Sequence, residues 1–121
     1  MGILCYCTRC CCTRYNSIFI GKCENIDIVG FKSQFTFAYG NNEENYFAKV
    51  EKGVGLNKKS KFEGIMKNNF IATYLIGPIL ILNPLFTEKL LKKMKFNNTK
   101  IAFEEDIKAA YNQRLQEFKK L

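Results

Sequence analysis

The chain reads as a small α+β protein: a hairpin-based antiparallel sheet with two amphipathic helices at its C-terminal end. Three observations predict this class. Between residues 31 and 39 aromatic side chains fall on one parity and polar ones on the other, the period of a half-buried strand. Phe103, Ile107, Tyr111, Leu115 and Phe118 recur at helical spacing, as one face of an amphipathic helix does. Residues 1–15 show neither period. At 121 residues there is room for one modest core. Residues 1–15 are therefore assigned to a tail, and residues 16–121 to a single small domain.

Taken in order, residues 17–20 are expected to form a short strand ended by Gly21. Residues 26–29 form a second apolar run, stopped by Gly30. The clearest strand follows, with Phe31, Phe35, Phe37 and Tyr39 expected on the core side and Lys32, Gln34 and Thr36 on the other. A turn cluster at 40–45 and a returning strand at 46–51 complete an expected hairpin. Residues 52–61, rich in Gly and Lys, read as a solvated loop. Gly53-Val54-Gly55 within it is too short for a phosphate-binding loop.

Residues 70–86 carry no charge and admit two readings. In a soluble domain they give a buried strand, a Gly77-Pro78 turn, a second buried strand and a helix start. Asn83 is then the N-cap and Pro84 the first helical residue. In a bilayer the same run sits at the lower edge of spanning length, and the fold is a single transmembrane helix plus a short soluble part. Flanking charge does not orient it, since Lys58, Lys59, Lys61 and Lys67 are matched by Lys89, Lys92, Lys93 and Lys95. The soluble reading gives a helix over 84–96, with Leu85, Phe86, Leu90, Leu91 and Met94 on one side and Lys89, Lys92, Lys93 and Lys95 on the other. A last helix spans 103–120. Glu104, Glu105 and Asp106 at its start and Lys119 and Lys120 at its end complement the helix dipole.

The charge of +8 draws the chain toward anionic partners. Nearly all of it is Lys, with Arg only at Arg9, Arg14 and Arg114. Base readout leans on Arg forks, so the balance tilts away from nucleic acid. No histidine is present, which removes the commonest general base and metal ligand. No nucleophile context or small-molecule site is recognisable, so neither catalysis nor a cofactor is expected.

The tail gives the sharpest functional signal. Five of the six cysteines, Cys5, Cys7, Cys10, Cys11 and Cys12, crowd into the first twelve residues. Gly2 becomes a myristoyl acceptor once Met1 is removed, and thiols beside a membrane are S-acylation targets. One myristoyl chain holds a protein only marginally, so a second signal is needed. The cysteines offer further chains, and Arg9, Arg14, Lys58, Lys59, Lys61, Lys89, Lys92 and Lys93 offer contact with an anionic leaflet. The pattern is imperfect: Tyr6 stands where Ser or Thr is usual. Cys7-Thr8-Arg9-Cys10 also has metal-knuckle spacing, but only Cys12 and the distant Cys23 remain to complete it, so no metal is expected. Cys23 reads as a small core residue.

The expected role is a non-catalytic, membrane-associated scaffold, adaptor or accessory subunit on the cytosolic face, bound to membrane lipids and to protein partners in a larger assembly. Two alternatives stand beside it. One is a single-pass accessory subunit, integral for example to the mitochondrial inner membrane, with 70–86 spanning. The other is a basic, Cys-rich metal- or nucleic-acid-binding module.

Overall fold

The computed structural model describes residues 14–121 together with the backbone of residues 4–6. In chain order the strands are β1 (Leu4–Tyr6), β2 (Tyr15–Cys23), β3 (Ile26–Gln34), β4 (Phe37–Tyr39), β5 (Ala48–Lys52), β6 (Phe62–Glu63), β7 (Ile65–Lys67), β8 (Phe70–Ala72) and β9 (Leu75–Ile76). The helices α1 (Ile79–Leu82), α2 (Pro84–Lys93) and α3 (Glu104–Lys120) follow. The architecture is mixed α+β, as the sequence indicates. Its centre is a five-stranded antiparallel sheet in the order β6-β5-β2-β3-β9, flanked by the pairs β1-β4 and β7-β8.

The main hairpin is not the expected one. It joins β2 to β3, in register from Tyr15↔Gln34 to Cys23↔Ile26, through a turn at Glu24-Asn25. Strand β5 pairs with β2 rather than with β4. Gly21 and Gly30, expected to end strands, lie inside them. The reason at Gly21 is steric: a Cβ there would stand 2.6 Å from the Phe19 ring and 2.8 Å from the Lys49 carbonyl oxygen. The glycine lets an aromatic side chain lie across its own strand.

Successive residues of a strand face opposite sides, and both sides of β2 are covered. Phe19 and Cys23 join Ile28, Phe47, Ala48, Leu75 and Phe86 in one cluster, where Phe47 and Phe86 meet edge to face at 5.4 Å. Ile20 and Val29, paired across the hairpin, pack on the other side against Tyr111 and Phe118 of α3. Fully burying a side chain such as Phe or Ile contributes about 1.5–3 kcal/mol, so these clusters fix the layers. The expected C-terminal helix is present, with Tyr111 and Phe118 buried, while Phe103 precedes it exposed, at φ +54°.

Residues 70–86 divide among β8, β9, α1 and the start of α2. No helix among the described residues is long and apolar enough to cross a membrane. The second buried strand expected after Gly77-Pro78 is a short helix instead. Its place beside β3 is taken by the Asn83 side chain: Oδ1 accepts from the Val29 N–H at 2.8 Å, and Nδ2 donates to the Val29 carbonyl at 2.8 Å. One amide thus completes both main-chain bonds of an edge residue. Asn83 and Pro84 do occupy the N-cap and first helical positions, but the Asn83 side chain makes no capping bond. Helix α2 ends before the expected residue 96. Lys95 takes a left-handed φ of 61°, and the N–H groups of Lys95 and Phe96 bond back to Lys92 and Leu91, a Schellman ending.

Candidate functional site

Beyond Gly30 the alternation of β3 runs opposite to the expected one. Lys32 and Gln34 are 1% and 3% exposed, whereas Phe35 is 53% exposed and Phe31 lies partly open. A buried ammonium requires partners, and Lys32 Nζ has three: the carbonyls of Val54 at 3.0 Å and Gly55 at 2.6 Å, and Glu63 Oε2 at 2.5 Å. The other carboxylate oxygen, Glu63 Oε1, accepts from Thr73 Oγ1 at 2.8 Å and from the Tyr74 N–H at 2.6 Å. Burial pushes the Lys32 pKa below its ordinary value, and Glu63 offsets part of that effect. An ammonium has three donors, and each is taken. The pair therefore ties β3, β6 and the segments at 54–55 and 73–74 together. The loop at 52–61, expected to be solvated, is drawn inward here, with Gly55 and Leu56 buried.

An apolar cavity of about 230 Å³ lies nearby, lined by Ala38, Leu56, Gly64, Ile65, Ala72, Thr73 and Tyr74. Small-molecule sites usually occupy about 300–1,000 Å³ and hold several convergent polar groups. Tyr74 is the only titratable residue in this lining.

The basic and aromatic residues converge where the tail joins the sheet. Arg14 lies 4.7 Å over the Phe35 ring. Tyr15 packs on Phe37 with centroids 6.2 Å apart, and Lys58 Nζ stands 5.2 Å from Tyr15 and 6.0 Å from Phe37. The loop carrying Lys58 is held in place by Asn57, whose Nδ2 donates to the Ala38 carbonyl at 2.8 Å. Asn57 Oδ1 accepts from the N–H groups of Lys59 and Ser60. β1 pairs with β4 in the register Leu4↔Tyr39, Cys5↔Ala38 and Tyr6↔Phe37. Arg14, Lys58, Lys59 and Lys61, all exposed, therefore lie at the end of the sheet where the tail backbone docks.

The other basic residues are elsewhere. Lys89 is ion-paired with Glu24 in the β2–β3 turn, and Lys93 donates to the Asn68 carbonyl at 2.5 Å. Lys92 is exposed on the same helix. Nine-residue strands place that turn roughly 26 Å from Tyr15. Gly2, Cys7, Arg9, Cys10, Cys11 and Cys12 lie outside the described residues, and Cys5 is described by its backbone alone. Cys23 is a buried free thiol whose pKa is pushed up by burial. Among the described residues no group of three or more Cys, Asp or Glu is placed to hold a metal. Sequence reasoning missed the rings beneath the cations; Tyr15, next to Arg14, was the one local signal for them, because Phe35 and Phe37 reach Arg14 and Lys58 only through the fold. No protein-family model matches the chain, and no curated protein matches it as a relative.

Proposed function

We propose that this protein is a non-catalytic scaffold, adaptor or accessory subunit attached to the cytosolic face of a membrane. Acyl groups on Gly2 and on one or more of Cys5, Cys7, Cys10, Cys11 and Cys12 form the anchor. The observation that carries the reading is the pairing of β1 with β4, which brings the tail backbone beside Arg14 and the loop bearing Lys58, Lys59 and Lys61. Each methylene buried in the bilayer adds about 0.8 kcal/mol. Each lysine near an anionic leaflet adds about 1 kcal/mol. Acyl chains therefore dominate the hold, and the neighbouring cations orient the domain. Lys89 and Lys93 lie at the far end with partners of their own, and contribute little to this contact.

Fractionation of cells expressing the full chain tests the anchor. The wild-type protein is expected in the membrane pellet, with Gly2→Ala and the five tail Cys→Ser substitutions together moving it to the soluble fraction. A substituted protein that stays in the pellet, or a wild-type protein that is soluble, would overturn the proposal.

A further inference from the structure

We propose that an exposed apolar band along the β9 edge, formed by Phe35, Phe31, Ile76, Leu80, Ile81 and Leu85, inserts shallowly into an anionic lipid surface. It rests on the membrane reading above but not on acylation.

The band follows the edge strand β9 and the helices that come after it. Phe31 and Ile76 are paired in register, and residues paired across antiparallel strands share a face. Leu80, Ile81 and Leu85 follow on the short helix α1 and the start of α2. All six side chains are open to solvent, Ile81 most of all at 64%. Single exposed apolar residues are ordinary, but a contiguous run marks a contact surface.

Charge selects the occupant. Residues 68–87 contain no acidic or basic side chain, and the next carboxylate, Glu88, is ion-paired with Lys108 at 2.9 Å. The margins are cationic. Arg14 lies over Phe35, and Phe31 meets Phe118 edge to face at 5.3 Å, two residues ahead of Lys120, while Lys119 between them is ion-paired with Asp27 at 3.8 Å. Lys92 falls on the helical stripe of Leu85, two turns on. An apolar ridge without free carboxylates and with a basic margin complements the headgroup and acyl layers of an anionic leaflet. Asn16, two residues after Arg14, and Ile76 line one common depression, so the band begins beside the tail junction.

The chain has no tryptophan, so the substitution Ile81→Trp introduces a sole indole emitter. Full-length protein made without acylation would be mixed with vesicles of phosphatidylcholine, with and without phosphatidylserine. We expect a blue shift of the indole emission and co-flotation only where phosphatidylserine is present. Leu80→Glu with Ile81→Glu should weaken flotation by about tenfold or more. Leu80→Ser with Ile81→Ser, a milder pair, should weaken it less while circular dichroism stays native. Unshifted emission, flotation unaffected by both pairs, or a solution dimer abolished by them would overturn the inference. A native protein that is acylated but whose bare chain ignores vesicles would sink this inference and leave the anchor standing.

Discussion

Strand β3 has two halves that follow opposite rules. From Ile26 to Val29 it buries what is apolar: Ile28 enters one core cluster and Val29 the other. From Phe31 to Gln34 it buries what is polar and turns Phe31 outward, as Phe35 just past its end is turned too. The difference lies in what each face meets. Apolar partners flank the first half on both sides, whereas Lys32 meets Glu63 and two turned-in carbonyls. On the aromatic side, Phe31 meets Phe118 of α3 edge to face and stays partly open, and among the described residues Phe35 lies beneath Arg14. A side chain goes inside when something there satisfies it, whatever its polarity. One face of this half should therefore govern stability, and the other surface contacts.

The largest test breaks the buried pair. Lys32→Met alone leaves a carboxylate buried without its ammonium and should cost about 3–5 kcal/mol in urea unfolding. Adding Glu63→Leu should recover much of that loss, because the buried pair as a whole is close to neutral against apolar replacements. A loss from the double change as large as from the single one would show that the pair itself carries the stability.

Asn83→Ala tests the first half. It leaves the Val29 N–H and carbonyl unpaired at a buried edge, at a cost of about 1–3 kcal/mol. A smaller loss would mean that water replaces the amide.

Alkaline titration separates a third contribution, from the α3 face. The Tyr111 hydroxyl donates to the Asp27 carbonyl at 2.7 Å, and burial raises its pKa above the ordinary 10.0. The unfolded chain then loses this proton first, so the contribution is full below pH 10.0 and is lost as pH rises through the folded value. Lys32, with its pKa lowered, acts in the opposite direction near the same range. Comparing Tyr111→Phe with wild type isolates the tyrosine, and the variant should show the shallower alkaline decline of unfolding free energy. An identical decline would refute this assignment.

The smallest expected effect on stability is at Phe35. Phe35→Ser should change unfolding free energy by no more than about 0.5 kcal/mol, as surface substitutions usually do. A large loss would mean that the aromatic face is part of the core after all.

The α+β class, the C-terminal helix and the start of α2 at Pro84 were legible because each rests on local periodicity or end chemistry. The parity of β3 was not. Alternation tells that two faces differ but not which is inside, and the inward choice depends on Glu63, thirty-one residues away. The hairpin partner was hidden because Gly21 and Gly30 look like breakers. Only the Phe19 ring, packed over Gly21, gives the first of them a role within a strand. Helix α1 resembles a strand in sequence because its side chains are as apolar as those of a buried one. What excludes a strand there is the amide of Asn83, already bonded to Val29. In the tail junction the cations were legible, and their gathering on Tyr15, Phe35 and Phe37 was not, since it follows from strand pairing.

The tail carries the central claim, and the intact mass of the protein isolated from its native membranes tests it most directly. The prediction is a mass above the 14.0 kDa of the bare chain, by one or more fatty-acyl groups, with part of the excess removed by hydroxylamine as thioesters are. A native mass equal to that of the unmodified polypeptide would contradict it.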